Sequence, residues 1–131
     1  MELLEAVKKA KRVYLIGNGG SYANAAHIAN DLISVGVRAY TLDAATLTAM
    51  ANDYGYESTF ERWLSVVGEA GDLLIALSGS GKSPNILRGI EQAKRLGMEV
   101  HPIFGPPLGM QEAEEFQVWK GHSVMRAMKC A

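Results

Sequence analysis

The sequence predicts a three-layer, doubly wound α/β sandwich with a flavodoxin-like parallel sheet of about four strands in the order 2-1-3-4. Short apolar runs of strand length alternate with longer segments of helical period, as is typical of parallel βαβ units. Glycine- and serine-rich turns follow the first and third of these runs, where such a sheet opens its ligand crevice. With 131 residues, 48% of them apolar, the chain can bury one core, so we expect a single domain over residues 1–131.

The hydrophobic pattern places each element in order. Strands are expected at 13–16, 38–42, 73–77 and 99–104, and helices at 2–11, 22–35, 57–67, 83–96 and 110–129, with a short extra helix at 44–51. Ser83 is suited to the N-cap of the fourth long helix and Pro84 to its first position. On local composition alone, residues 52–55 are typical of a turn.

Composition excludes several functional classes. The formal net charge is −1 and the basic residues are scattered, so neither a nucleic-acid partner nor a membrane surface is expected. The cluster at 8–12 suits the solvated end of a first helix. The N-terminal segment begins with acids and lacks the pattern of a secretory signal, and no apolar run is long enough to span a membrane. Cys130 is the only cysteine, which excludes a disulfide framework and favours a cytoplasmic location.

The segment 78–83 has the composition of an anion-binding turn. Its glycines allow a ligand close to the backbone, its serine hydroxyls can donate, and free amides at the following helix start favour an anion. An ordinary Gly/Ser-rich loop is the alternative. Two nucleotide motifs fail at a required glycine, because a Rossmann fingerprint from Gly17 meets Tyr22 and a P-loop ending at Ser83 meets Ala76.

Five features in order carry a resemblance to a known family. They are GNGGS at 17–21, His27, MANDYGY at 50–56, LSGSGKS at 77–83 and the Gly121-His122 pair. Together they resemble the sugar isomerase (SIS) domain family, and within it the phosphoheptose isomerases. The resemblance implies a cytoplasmic enzyme, usually a homotetramer, that converts sedoheptulose 7-phosphate into D-glycero-D-manno-heptose 7-phosphate.

Carrying the family's contacts over to this chain gives a candidate phosphosugar site. Serine hydroxyls and helix-start amides suit a phosphate, whereas asparagine side chains that both donate and accept suit sugar hydroxyls. Lys82 is either a further positive charge on the phosphate or simply solvated. The implied substrate-binding residues are Asn18, Gly19, Gly20, Ser21, Asn52, Asp53, Ser78, Gly79, Ser80, Ser83 and Glu114.

The resemblance also implies a zinc site for one ion per subunit, made of His27, Asp31, Glu114 and His122. His27 and Asp31 lie four apart on one helix and project from the same face, although such pairs are often plain surface contacts. The family has glutamate at position 31 and glutamine at position 114. A competing register puts Gln117 in the glutamine position, and a half-buried His122 bonded to backbone is the structural alternative.

The implied chemistry is aldose–ketose isomerisation through an enediol. Asp31 is the expected base that moves a proton between adjacent carbons, and His122 is the expected acid at the oxygens. Aspartate is one methylene shorter than the family's glutamate, and a displacement of about 1 Å at a reacting centre can cost about a hundredfold in rate. The alternative is a non-catalytic SIS module that binds a phosphosugar or a protein partner, similar to the family's replication-initiator-associating members.

Two further expectations follow from length. The segment 104–109 leads directly into the last helix, so the family's fifth strand is not expected. A sheet of four strands would leave apolar helix faces uncovered, so we expect a homo-oligomer with the helix at 110–129 and Trp119 in its interface.

Overall fold

The computed structural model describes residues 2–104 and 109–130. Within them, four parallel strands form one sheet in the order β2-β1-β3-β4, which confirms the predicted order. The strands are β1 (Val13–Ile16), β2 (Ala39–Thr41), β3 (Leu73–Ser78) and β4 (Glu99–Phe104). The helices are α1 (Leu3–Lys9), α2 (Gly20–Ser34), α3 (Ala44–Tyr54), α4 (Thr59–Val67), α5 (Pro84–Arg95) and α6 (Met110–Lys129), with a 3-10 turn at Tyr56–Ser58.

Helices cover both faces of the sheet, as the three-layer prediction requires. Every residue of β1 and β3 is buried, because these two strands are central and are packed on both sides. Side chains alternate along each strand, so each helical layer has its own apolar cluster. One cluster joins the sheet to α1, α2 and α6 through Val7, Ile28, Leu32 and Val124. The other joins it to α4 and α5 through Phe60, Trp63, Leu64 and Ile86.

The helix α3 is longer than expected, and the turn interpretation of residues 52–55 is wrong. Asn52 and Asp53 lie in the last turn of α3, which ends only at Tyr54. Asp43 stabilises the start of this helix, because its carboxylate accepts hydrogen bonds from the Thr46 amide at 3.0 Å and the Thr46 hydroxyl at 2.7 Å. The chain leaves the helix at Gly55, where φ is +92°.

Element ends differ from prediction by one or two residues elsewhere. α1 ends at Lys9, α2 begins at Gly20, and β3 continues to Ser78. The short segment 104–109 led to the prediction that this chain lacks the family's fifth strand. Residues 105–108 of that segment lie outside the described residues.

Pro102 lies within β4, at the edge of the sheet that the described residues form. The Glu99 amide donates to the backbone oxygen of Asp72, which directly precedes β3. Because amides along a strand point alternately to its two sides, every second amide of β4 from Glu99 onward faces β3, and the backbone nitrogen of Pro102 faces away from it. A proline is tolerated there because no ladder hydrogen bond is lost, and it also makes the edge a poor template for another strand.

Among the helices of residues 2–104 and 109–130, none combines the length and apolar character needed to cross a lipid bilayer.

Candidate active site

The turn after β1 depends on close backbone contact. A Cβ on Gly17 would lie 2.6 Å from the carbonyl carbon and oxygen of Ser21, so only glycine fits there. Gly19 has φ of +56°, a conformation that other residues rarely adopt, and it precedes the first residue of α2. The turn therefore brings the chain directly from the end of β1 into the N-terminus of α2.

The serine loop after β3 folds back on its own backbone. The Ser78 hydroxyl accepts a hydrogen bond from the Gly81 amide at 3.0 Å, and the Ser80 hydroxyl accepts one from the Lys82 amide at 3.1 Å. Gly81 has φ of +69°, and Ser83 and Pro84 occupy the N-cap and first position of α5 as predicted. These hydroxyls and amides form a compact polar turn at the start of a helix, where an anion is favoured.

Helix α6 lies beside this loop. A Cβ on Gly79 would contact Met110 and would lie 3.4 Å from the Cβ of Ala113. Gly79 therefore lets the first turn of α6 pack closely against the serine loop.

A reciprocal pair of amides joins the two loops across the switch point. Asn18 donates to Asn85 at 2.9 Å and Asn85 donates to Asn18 at 2.8 Å. The Tyr56 hydroxyl also donates to the Asn18 oxygen, at 2.7 Å. Sequence reasoning found Asn18 but missed Asn85 and Tyr56. The available signal for Asn85 was a polar residue directly after the proline that opens α5.

Three ligand-type atoms converge between α2 and α6. Nε2 of His27 and Nε2 of His122 are 3.0 Å apart, and each lies 3.4 Å from Oδ2 of Asp31. Asp31 is only 8% exposed, and its Oδ2 is buried without a hydrogen-bond partner. The structural alternative for His122, a hydrogen bond to the backbone, does not describe its Nε2. Within the described part of the chain, this atom lies against the side chains of His27 and Asp31.

The triangle fits a tetrahedral metal ion. Ligand atoms about 2.0–2.1 Å from one zinc ion lie about 3.3 Å from each other, which is close to the three separations in the triangle. A buried carboxylate oxygen without a partner is costly, and a cation would stabilise it. His27, Asp31 and His122 thus have the donor types and spacing for a metal, as the only such group found among the described residues.

Glu114 lies outside this triangle. Its carboxylate packs against Gly20, the first residue of α2, where the partial positive charge of a helix N-terminus stabilises an anion. Both Glu114 and His122 nevertheless line one open groove of about 500 Å³, together with Asn24 and Trp119. The prediction that Glu114 is a metal ligand stays a prediction.

Gln117, the alternative in the register of the last helix, is fully buried and has a different set of partners. Its amide donates to the Ser21 hydroxyl at 3.0 Å and its oxygen accepts from Asn24 at 2.9 Å. Asn24 also donates to the backbone oxygen of Glu114. Gln117 therefore links α6 to α2. Its hydrogen bonds help to hold the two helices at the relative position in which His122 lies beside His27.

The predicted sugar contacts on α3 lie apart from these hydrogen-bond networks. Asn52 and Asp53 are exposed and are hydrogen-bonded to each other at 3.1 Å. One turn earlier, Thr48 and Leu47 line a cavity of about 190 Å³ whose other walls come from Gly17, Gly19, Tyr22, Ala44 and Tyr56. Since residues four apart share a helix face, Asn52 lies on the same side of α3 as Thr48.

Comparison with known proteins gives a consistent result. Residues 2–105 match the SIS domain family. The chain is 41% identical over 110 residues to the phosphoheptose isomerase of a Nitratiruptor species, an alignment that covers 78% of this chain and 59% of that protein. It is 40% identical over 121 residues to the Akkermansia muciniphila phosphoheptose isomerase, and this alignment covers 86% of this chain and 64% of that protein. It therefore spans less than two thirds of the length of these two relatives.

A third relative and two solved structures are covered more fully. A phosphoheptose isomerase of Burkholderia pseudomallei is 36% identical over 146 residues, covering 97% of this chain and 74% of that protein. Among solved structures, a phosphoheptose isomerase from Francisella tularensis aligns with a TM-score of 0.88 and 25% identity, covering 98% and 83%. The phosphoheptose isomerase of Neisseria gonorrhoeae has the same fold, with a TM-score of 0.90, 24% identity and coverage of 98% and 82%.

Proposed function

The chain belongs to the SIS domain family, and we propose that it is an isomerase of sedoheptulose 7-phosphate. The reaction would give D-glycero-D-manno-heptose 7-phosphate through an enediol. The observation that carries the proposal is the convergence of His27, Asp31 and His122 between α2 and α6, where His122 also lines a groove with Asn24 and Glu114. The turn after β1 and the serine loop after β3 lie at the carboxyl ends of these strands, which is where ligands bind in doubly wound folds.

We propose the following roles for the predicted substrate contacts. The serine loop binds the phosphate through Ser78, Ser80 and Ser83 and the amides at the start of α5. The turn after β1 and Asn52 and Asp53 on α3 bind the sugar hydroxyls. Glu114 contacts the substrate from the groove wall that it shares with His122.

Asp31 and His122 are the proposed acid–base pair. In the ketose-to-aldose direction, the Asp31 carboxylate removes a proton from the carbon next to the carbonyl and returns it to the former carbonyl carbon. Because Nε2 of His122 faces His27 and Asp31, Nδ1 is the nitrogen that gives a proton to one oxygen and removes one from the other. The burial of Asp31 favours this role, because the packing around a buried carboxylate holds it in one position relative to the reacting carbons.

His27, Asp31 and His122 would hold the metal ion that the family relationship implies. Two imidazole nitrogens and one carboxylate oxygen suit zinc. When bound, the ion would polarise the sugar carbonyl as a Lewis acid.

We also propose a homo-oligomer, specifically a tetramer, located in the cytoplasm. Trp119 is 57% exposed and stacks on Phe116, one turn earlier on α6. A large aromatic side chain exposed on a helix face supports self-association through that face. Light scattering at micromolar concentration tests this, and a monomer would contradict it.

Turnover is the direct test of function. The purified protein is mixed with sedoheptulose 7-phosphate, with added zinc or after chelation, and formation of the heptose 7-phosphate is followed by NMR. Loss of either acid–base residue is expected to lower kcat by about 10²–10⁴. Asp31→Ala and His122→Ala are the test variants, and Ser123→Ala, next to His122 on α6, is the control.

Binding separates the two functional hypotheses. Thermal stabilisation by the phosphosugar without turnover would favour a non-catalytic binding module. Turnover that survives in both variants would contradict the assigned roles of Asp31 and His122.

A further inference from the structure

The hydrogen bonds around Asn18 have a direction that the backbone determines. The amide of Ile86 lies 3.0 Å from Oδ1 of Asn85. A backbone N–H can only donate, so the side-chain atom that it contacts is the oxygen and not the nitrogen of the Asn85 amide. This single contact removes the usual ambiguity in the orientation of an asparagine side chain.

The orientation of Asn85 then fixes that of its neighbours. Its nitrogen faces Asn18 at 2.8 Å, so the Asn18 atom that it contacts must be an acceptor and is the oxygen. The Tyr56 hydroxyl approaches the same oxygen at 2.7 Å and therefore donates to it. The nitrogen of Asn18 in turn donates to Asn85 at 2.9 Å.

Counting donors and acceptors shows what Asn18 has left for a ligand. Its oxygen accepts from both Tyr56 and Asn85, which fills its two lone pairs. The nitrogen of Asn18 donates one of its own two hydrogens to Asn85, which leaves one N–H free to bind a ligand. Asn85 is only 2% exposed, whereas Asn18 is half-buried. A ligand can therefore reach Asn18 but not Asn85.

We propose that Asn85 and Tyr56 are positioning residues that hold Asn18 as a pure hydrogen-bond donor toward an acceptor oxygen of the bound phosphosugar. The identity of that ligand rests on the proposed function. Asn18 thus has a narrower role than the sequence-based expectation, in which its side chain both donates and accepts. A carbonyl, ether or phosphate oxygen fits this position, and a hydroxyl fits it only through its oxygen lone pair.

The first test does not depend on turnover. In ¹⁵N-labelled protein without ligand, the side-chain amide of Asn18 is expected to show one proton protected from exchange with D₂O and one that exchanges freely. Tyr56→Phe removes one donor to the Asn18 oxygen and should reduce that protection. Equal and rapid exchange of both Asn18 protons in the unmodified protein would overturn the proposal.

The second test measures KM and kcat for sedoheptulose 7-phosphate separately, because a positioning residue for binding should change KM much more than kcat. Tyr56→Phe is expected to raise KM about fivefold, which corresponds to one neutral hydrogen bond, with kcat within about twofold. Tyr40→Phe is the matched control, because Tyr40 of β2 is also exposed and its ring packs against Tyr14. An unchanged KM in Tyr56→Phe would overturn the proposal.

Asn85→Asp is an independent variant of the same size. The carboxylate still accepts from Ile86, but it cannot donate to the Asn18 oxygen and repels it, so the reciprocal pair breaks and the Asn18 nitrogen loses its acceptor as well. We expect a larger rise in KM than for Tyr56→Phe and loss of the protected Asn18 proton. If the unmodified protein neither binds nor converts the phosphosugar, the proposed function fails, and the exchange experiment alone decides the donor assignment.

Discussion

Gly121 of α6 packs directly on Ile28 of α2. A Cβ on Gly121 would lie 2.6 Å from Cγ1 of Ile28 and 3.1 Å from its Cδ1, closer than real side chains approach. Gly121 precedes His122, and Ile28 follows His27. The close approach of the two helices at this glycine therefore also brings the two histidines together.

Gly121→Ala is expected to weaken zinc binding more than it weakens the fold. The added methyl costs about 1–3 kcal/mol in overpacking, and the higher helix propensity of alanine offsets about 1 kcal/mol of that. Displacement of His122 should lower zinc affinity about 10–100-fold. Calorimetric zinc titration and urea denaturation measure the two effects. Ser123→Ala on the same helix is the control, and zinc affinity equal to that of this control would contradict the prediction.

Gln117→Leu tests the second contact that fixes α6. The leucine keeps the volume but leaves the Ser21 hydroxyl and one interaction of Asn24 without their buried partner. We expect the free energy of unfolding, measured by urea denaturation, to fall by about 1–3 kcal/mol.

The matched control for this prediction is Gln111→Leu. Gln111 is exposed on the same helix, and its replacement should change the free energy of unfolding by less than about 0.5 kcal/mol. Equal losses in the two leucine variants would show that the buried amide network does not stabilise the docking of α6.

The strands and the two loops were predictable because they depend on local patterns, and the strand order was predictable because right-handed crossovers allow few arrangements of parallel strands. Continuous apolar runs such as 73–77 indicate buried parallel strands, and the glycines of the turn after β1 act within a few residues of their own position. Pro102 was compatible with a strand only because that strand lies at a sheet edge, a fact that depends on the order of all four strands.

The partners of the site residues were not predictable in the same way. Asn85 meets Asn18 across 67 residues of chain, and Gln117 meets Ser21 across 96. Nothing local distinguishes such amides from exposed ones, since only packing of distant elements decides which polar groups are buried together. The length of α3 was underestimated because Asn and Asp favour turns locally, whereas the Asp43 cap and Gly55 determine its actual ends.

Glu114→Gln distinguishes a three-residue metal site from a four-residue one. The Glu114 carboxylate lies against Gly20 and outside the triangle, so we expect the neutral glutamine to change zinc affinity by less than about threefold. Loss of the charge removes its interaction with the α2 dipole, which should lower the free energy of unfolding by about 0.3–1 kcal/mol. His27→Ala, which removes a member of the triangle, should lower zinc affinity at least about 100-fold. Calorimetric titration compares the two variants. A loss in Glu114→Gln as large as that in His27→Ala would make Glu114 a ligand.

His101 gives the fold a defined pH dependence. It lies on β4, and burial lowers the pKa of its imidazole below the ordinary value of 6.5, with a further lowering from nearby Lys120; Glu2 and Glu99 act in the opposite direction. A lowered pKa in the folded state means that the unfolded chain binds the proton more readily. The contribution of His101 to stability is therefore present above pH 6.5 and is lost as pH falls through and below that value.

His101→Gln is expected to reduce this pH dependence. Glutamine is polar and of similar size but does not titrate, so the variant should lose less stability than the unmodified protein between about pH 8 and about pH 5.5. Urea denaturation at each pH measures the difference. Because His27 and His122 are present in both proteins, the comparison isolates position 101. Identical pH profiles for the two proteins would contradict the assignment of this dependence to His101.

Lys120→Gln tests the electrostatic part of the same effect. The Lys120 ammonium lowers the pKa of His101 by repelling its protonated ring, so its removal should raise that pKa toward the ordinary value. The folded state then accepts the proton at less cost, and we expect a smaller loss of stability at acidic pH than in the unmodified protein. Burial, the larger cause, is unchanged, so the loss should remain greater than in His101→Gln. Urea denaturation at the same pH values measures it, and a steeper loss than in the unmodified protein would show that Lys120 does not act on His101 by repulsion.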